Sequence, residues 1–398
     1  MQSNPTKQTT NATCPACGML CDDINLNDTS ANTCAKSIVF FKQGSMESSP
    51  KVKGKQATLA QAAVKVANIL NVAKQPLLAG LGTDLAGFRA AYQLAEKSNA
   101  TLAHMNAITT WRNTKVLQSV GWQTTTLTEV RNRADVIVCI GTDVVKHNPR
   151  FFERIVWPEK AMFVNNEDRD LIYLGGEGLD TSRGISPKGK QPTVLACDPK
   201  QLPEVTAALH ALVEGRTLSL KQVRGIAVSD LSSIAERLKQ AQYATLIWVA
   251  KDLDFPHAEL TIQQITQTVA KLNETTRAGA LAMGGSDGDT TVNYAHTWLS
   301  GLAINQEVLP EHDALIWVNS FSPEKAVPNT GTPTVVIGNP NMQFKTEPDV
   351  FIPIATPGLD CAGTMIRVDS NVILPLKKVR ESSLPTLAEV LAQVEAAL

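Results

Sequence analysis

The sequence predicts an α/β protein built on parallel sheets, and three observations carry that expectation. A strand, a Gly-rich turn and a long helix follow one another in QPLLAGLGTDLAGFRAAYQLAEKSNA. The run Val136 to Ile140 is apolar without alternation, as a strand covered on both faces must be. Near the C-terminus DALIWVNSF, TPTVVIGNP and DVFIPIATPG give three strand-and-turn signals in close succession. Repeated strand-then-helix order defines the class, and 398 residues suffice for two or three domains with sizeable cores.

Taken in order, the chain opens on a polar stretch, MQSNPTKQTTNAT, with no apolar core of the kind a secretory signal needs. CPACGMLCDDI follows. Thr58 to Lys74 then places apolar residues at helical spacing behind a Thr that can cap them. The next strand breaks at Gly80, Gly82 and Thr83-Asp84, and a helix starts near Leu85. This is the order of a nucleotide-binding βα unit, or of a plain βα turn, since the full G-x-G-x-x-G pattern is incomplete. A second unit begins with Val136 to Ile140 and ends at Gly141-Thr142-Asp143. Ala161 to Asp170 and Pro192 to Asp198 read as further strands, Leu202 to Gly215 as an amphipathic helix, and IYLGGEGLDTSRGISPKGKQP as a long loop. The third block runs through the helix SDLSSIAERLKQAQ, the strand in YATLIWVAKDL and the helix HAELTIQQITQTVAKLNETT to AGALAMGGSDGDTTVNYAHTWL.

Composition excludes several roles. Net charge is -1 with 19% charged residues, and Lys and Arg form no run able to neutralise successive phosphates, so nucleic acid is not an expected partner. No stretch reaches the roughly 18 apolar residues of a spanning helix. A reducing, cytoplasmic setting is expected, where clustered cysteines ligate metal more often than they pair.

The cysteines are the most distinctive feature. Cys14, Cys17 and Cys21 fall three and four residues apart, Cys34 follows thirteen later, and Cys139, Cys197 and Cys361 are scattered singly as packing residues. A tight turn of thiolates closed by one later ligand suits an iron–sulfur cluster or zinc, and a cluster holding nothing is the third reading. His104, His147 and His296 lie near loops but read as satisfied structural residues. Asp22 and Asp23 read as turn caps, and Trp111 and Trp122 as packing or interface residues.

CPACGMLCDDI resembles the N-terminal motif of the molybdopterin-dependent oxidoreductases, and its Cys-Asp-Asp ending is similar to that of the B subunits of formylmethanofuran dehydrogenase. LTEVRNRADVIVCIGTDVVKHNPRFFER, with Asn148 to Arg150, looks like that family's second nucleotide-binding unit. DVFIPIATPGLDCAGTMIRVDSNVILPL looks like its C-terminal stretch, with Gly358, Gly363, Arg367 and Asp369 in register. The resemblance implies a molybdopterin-oxidoreductase-like fold: two doubly wound parallel-sheet domains plus a small cysteine-bearing N-terminal segment. The segment would be residues 1–50, the first domain 51–105 with 240–398, and the second, inserted domain 106–239.

The departures matter equally. The family's cysteine or selenocysteine ligand to tungsten or molybdenum is absent, because no cysteine occurs between Cys34 and Cys139 and Trp111, Arg112 and Asn113 stand in that region. Asn165 and Asn166 stand where the family carries an Asp for the cofactor's nucleotide. Gly80, Gly82, Gly141, Gly284 and Gly285 remain as vestigial cofactor candidates, but GGSDGD sets Asp287 and Asp289 where they would repel a pyrophosphate. A B subunit with these departures resembles its counterpart in the bacterial formyltransferase/hydrolase complex of tetrahydromethanopterin-linked formaldehyde oxidation. The resemblance implies three partner polypeptides, namely an amidohydrolase-like A subunit, a C subunit and a formyltransferase D subunit, together with a methanofuran-like carrier. It implies no catalytic residue in this chain, a [4Fe–4S] cluster or zinc on Cys14, Cys17, Cys21 and Cys34, and no molybdopterin or tungstopterin. Two readings stay open beside it: an active molybdenum- or tungsten-dependent formylmethanofuran dehydrogenase catalytic subunit, and an iron–sulfur or zinc scaffold without formyl chemistry.

Overall fold

A computed structural model describes residues 11–27, 32–44, 48–175, 177–304, 306 and 308–398. Most of the polar opening and parts of the expected 1–50 segment lie outside the described residues. The chain divides into two compact units, Met1–Ile108 with Gly285–Leu398 and Thr109–Gly284.

The first unit begins with β1 (Asn11–Ala12) and β2 (Ile24–Asn25), an antiparallel pair that brackets the first three cysteines, and α1 (Ala35–Phe41) follows Cys34. The hairpin β3 (Lys51–Val52) and β4 (Lys55–Gln56) leads to α2 (Leu59–Val72). Thr58 caps α2 as expected: its Oγ1 accepts from Gln61 N at 3.2 Å while Gln61 Oε1 accepts from Thr58 N at 2.9 Å, satisfying two end groups reciprocally. β5 (Pro76–Gly82) is buried along its whole length, α3 (Leu85–Ser98) starts on Asp84 and ends on left-handed Asn99, and β6 (Thr101–His104) closes this stretch.

The chain then runs through α4 (Ala107–Ser119) into the second unit, with α5 (Leu127–Arg133), β7 (Val136–Ile140), β8 (Asp170–Leu174), β9 (Thr193–Leu195) and α6 (Leu202–Val213). A small hairpin of β10 (Gln222–Val223) and β11 (Ile226–Ala227) precedes α7 (Val228–Gln240), β12 (Ala244–Val249), α8 (Ala258–Leu272) and β13 (Ala278–Met283). The five long strands pair in parallel in the order β13-β12-β7-β8-β9. Val138, Ile140, Ile172 and Trp248 of the sheet pack with Leu209, Leu231, Ile234 and Ile262 of the helices.

Two expectations are corrected here. Residues 240–284 belong with the second unit rather than the first domain, because β12 pairs with β7 from Ala244↔Val136 to Ile247↔Cys139 and with β13 on its other side. The strand assigned to Ala161–Asp170 lies one step later: 161–169 is irregular with a short 3₁₀ turn, and Asp170–Leu174, most of which the sequence suggests as loop, pairs with β7. Leu171 to Leu174 are the buried apolar run, whereas Met162 and Phe163 are exposed, so burial rather than β-propensity selects the strand.

Returning to the first unit, the chain gives α9 (Asp289–Ser300), β14 (Ala314–Asn319), β15 (Thr334–Gly338), β16 (Val350–Pro353), the hairpin β17 (Gly363–Ile366) and β18 (Ile373–Leu376), and α10 (Leu387–Ala397). The sheet order is β4-β3-β16-β15-β14-β5-β6, and β16 to β6 run parallel. Helices α2, α3 and α10 bury Val66, Leu70, Phe88, Leu94, Val390 and Leu391 against one face. The other face, with Leu77, Trp317 and Phe351, takes residues such as Val327 and Phe344 from the helix-free connections β14–β15 and β15–β16. Among the described residues no helix is long and apolar enough to cross a membrane.

Leu391 is buried in the core that these helices form on the sheet. Leu391→Ala should destabilise the protein by about 2–5 kcal/mol, read as a lowered urea midpoint. A midpoint unchanged from wild type would show that α10 is not part of the cooperative core.

Candidate functional site

Two features of the first unit concentrate the chemistry that the sequence suggests, and the cysteine turn is one. Cys14 N donates to Cys21 O at 2.9 Å and Leu20 N to Cys17 O at 3.3 Å, so the CPACGMLC segment is a closed turn with Leu20 in the left-handed region. Gly18 N donates to Gly285 O at 3.0 Å, and Val368 N donates to Gly18 O at 2.8 Å. A Cβ on Gly285 would stand 3.1 Å from Gly18 Cα, so this close approach of two backbones requires the glycine. Leu20 and Phe40 join Leu359, Met365 and Leu376 in a small apolar cluster beneath the turn. Cys34 begins α1, its backbone N bonded to Ser37 Oγ at 2.9 Å.

Cys14, Cys17 and Cys21 are buried and Cys34 is half-buried, and all seven cysteines are thiols rather than disulfides. Burial pushes the Cys14 thiol well up and the Cys17 thiol to about 11, and the charges of the neighbouring cysteines add to both shifts. The four sulfurs therefore share one electrostatic neighbourhood. Among the described residues, however, no group of three or more His, Cys, Asp or Glu side chains is arranged to hold a metal. The donor chemistry suits a soft metal. A metal must displace the thiol protons to bind.

The second feature lies at the carboxyl ends of β5, β6 and β14. β6 is on one side of β5 and β14 on the other, which makes the β5/β14 boundary the switch point where open α/β sheets hold ligands. Asp287 is fully buried there, and its carboxylate accepts from Lys325 Nζ and Ser322 Oγ. Burial alone would raise this carboxyl, but the Lys325 charge and the hydrogen bonds outweigh it and hold it below the usual range. His104 Nδ1 accepts from Asn106 N at 3.0 Å, so Nε2 carries the proton and donates to Asp287 O at 3.2 Å. Burial lowers the His104 pKa, against the pull of Asp289 and Asp287, and the ring is a neutral structural link. Asn106 Nδ2 binds Ser286 Oγ and Asp289 Oδ2.

The glycines that the sequence offers as cofactor candidates lie in close contacts within the protein. A Cβ on Gly80, which has φ +79°, would lie 2.5 Å from Val318 O and meet the Trp317 ring. Gly82 faces Met105 and Asn319, Gly141 faces Leu202 and Leu253, and Gly284 exchanges two hydrogen bonds with Asn148 at 2.8 and 2.9 Å. In the second unit His147 Nε2 pairs with Asp252 Oδ1 at 2.7 Å, and Thr142 Oγ1 donates to Asp252 Oδ2 at 2.7 Å. Trp111, Arg112 and Asn113 lie on α4. Arg112 binds Ala250 O and Asp254, Asn113 Oδ1 accepts from Trp248 Nε1 at 2.8 Å, and Lys115 lies over the Trp111 ring. Trp122 packs edge-on against Trp248, and His296 Nδ1 meets Leu302 O at 2.8 Å. Asp22 is exposed and Asp23 half-buried after the turn. Lys325, Ser322 and Asp252 are invisible in the sequence, because single polar residues in loops carry no periodic or motif signal.

No family model matches the chain. It is nonetheless a homologue of the B subunits of formylmethanofuran dehydrogenase over nearly its whole length: the B subunit of the tungsten-containing formylmethanofuran dehydrogenase 2 of Methanocaldococcus jannaschii is 25% identical over 93% of this chain and 93% of its own. More particularly, the B subunit of the formyltransferase/hydrolase complex Fhc of Methylorubrum extorquens is 24% identical over 86% of this chain and 95% of its own. A chain in the crystal structure of that FhcABCD complex with methylofuran superposes with a TM-score of 0.71 at 23% identity, covering 87% of this chain and 98% of that one, which fixes the fold as that of its neighbour.

The ion pair and the cysteine turn can each be tested. Lys325→Met leaves the buried Asp287 carboxylate uncompensated, at a cost of about 1–3 kcal/mol near neutral pH given the partial exposure of Lys325. Without Lys325 the Asp287 pKa rises above its unfolded value, so the deficit should shrink as pH falls and the carboxyl takes a proton. A pH-independent deficit in denaturant melts would contradict the ion pair. For the metal-free cysteine turn, thiol labelling of Cys14 and Cys17 should be slow at pH 7, and that of Cys17 should accelerate as pH rises toward about 11. Rapid labelling at pH 7 would show that burial does not govern these thiols.

Proposed function

We propose that this chain is the B subunit of a cytoplasmic formyltransferase/hydrolase complex in tetrahydromethanopterin-linked one-carbon metabolism, and that its role there is structural. The observation that carries the reading is a contrast. The chain resembles a tungsten-containing relative along 93% of its length, yet it offers no cysteine between Cys34 and Cys139, and Arg112 and Asn113 in that region are committed to bonds within the second unit. A soft metal has no thiolate to take there.

The fold is read as molybdopterin-oxidoreductase-like with a degenerate pterin site. The residues at the β5/β14 crevice do not suit a pterin pyrophosphate, because Asp287 places a buried carboxylate there. Three partner polypeptides, an amidohydrolase-like A subunit, a C subunit and a formyltransferase D subunit, would complete the assembly around a methanofuran-like carrier. The methylofuran-bound neighbour supports that reading through the likeness of its fold. Cys14, Cys17, Cys21 and Cys34 would hold a [4Fe–4S] cluster or zinc, whose contribution when bound is a cross-link between the turn and α1. Cys34 would bring α1 to the site, and Gly18 ties the turn to Gly285 and Val368.

Purification under native conditions tests the proposal. The chain should co-elute with an amidohydrolase-like and a formyltransferase-like polypeptide in fixed ratio. Isolation as a stable monomer would refute it, and a monomer with bound iron or zinc would favour the isolated scaffold instead.

A further inference from the structure

We infer that Asp287 is an internal ligand: its carboxylate is the anion that fills the crevice at the carboxyl ends of β5 and β14, and removing it opens a site for a phosphate-type oxyanion held by Lys325 and Ser322. The inference rests on the reading of this chain as one without a pterin cofactor.

Four observations in the first unit carry it. Asp287 sits at the carboxyl ends of β5 and β14, where the strand order reverses, the position at which an open parallel sheet ordinarily holds a ligand. The start of α3, which would otherwise offer its backbone N–H groups to such a ligand, is already taken by Asp84: Oδ1 accepts from Gly87 N at 3.0 Å and Oδ2 from Thr364 N at 3.2 Å. The strand-to-helix turn is also covered, since a Cβ on Gly288 would stand 2.2 Å from Thr83 O. Finally, Lys325, on the connection from β14 to β15, points its ammonium at Asp287, with Ser322 beside it and Met105 Sδ 3.4 Å away. A buried ion pair is a poor stabiliser compared with apolar packing of the same volume. A lysine and a hydroxyl converging on one oxyanion are, in contrast, what phosphate recognition requires.

Asp287 has φ +55°, a conformation that glycine adopts without cost, so Asp287→Gly removes the carboxylate and leaves the backbone unstrained. The full chain and its variants are titrated calorimetrically with inorganic phosphate and pyrophosphate. Wild type should show no binding at millimolar ligand. Asp287→Gly should bind pyrophosphate at concentrations on the order of tenfold or more below the highest at which wild type shows none, because a contacting like charge is gone and a cation is released. Asp287→Gly with Lys325→Met should return to the wild-type result. Pyrophosphate binding by wild type, or a folded Asp287→Gly protein with no gain, or a gain that survives Lys325→Met, overturns the inference. Should Asp287→Gly fail to fold, Asp287→Asn keeps the shape and removes the charge: its unfolding midpoint should rise with phosphate while that of wild type does not, and an indifferent midpoint overturns the inference equally. Pterin in the native protein would defeat the cofactor-free reading, whereas these titrations test the carboxylate alone.

Discussion

The backbone from Gly285 to Gly288 is the constraint on which the rest of the first unit depends. Gly285 accepts the Gly18 hydrogen bond that seats the cysteine turn, and Gly288 lies directly against the Thr83 carbonyl at the start of α3. Between them Asp287 draws Lys325 and Ser322 inward and receives the His104 ring on its carbonyl. Four residues thus couple the N-terminal turn, β6, α3 and the connection after β14. A side chain at Gly288 would force these elements apart, since its first carbon would stand 2.2 Å from the Thr83 carbonyl oxygen, and one at Gly285 would press on Gly18 Cα at 3.1 Å.

The proposed structural role would rest on this arrangement. The places where a parallel sheet normally offers its polar groups to a ligand are satisfied internally: Asp84 caps α3, Asp287 takes the lysine, and His104 is held neutral with both ring nitrogens engaged. A similar economy holds in the second unit, where Asp252 absorbs His147 and Thr142 and stays below the usual carboxylate range through their hydrogen bonds despite its burial.

Much of the architecture is legible in the sequence because it is written in burial patterns. Val136 to Ile140, the three C-terminal strands and the Thr58 cap all follow from local chemistry. What escapes depends on pairing across long separations. Residues 240–284 join the second sheet only because β12 finds β7, more than a hundred positions earlier, and nothing in YATLIWVAKDL itself names that neighbour. The strand after β7 falls later than the apolar residues of AMFVNNEDRD suggest, and only the register Val136↔Asp170 resolves its position. At the candidate site the two carboxylates of GGSDGD are visible in the sequence, but the cation answering Asp287 is not, since Lys325 is one ordinary residue in a loop.

The most direct test of the account is pterin and metal content of the native protein: oxidative extraction with fluorescence detection of the pterin, alongside elemental analysis for tungsten and molybdenum. A chain in which Asp287 is a buried carboxylate paired with Lys325 and which lacks a cysteine between Cys34 and Cys139 should yield neither pterin nor either metal. Pterin recovered in stoichiometric amount with tungsten or molybdenum would contradict it and mark the chain as a working dehydrogenase subunit.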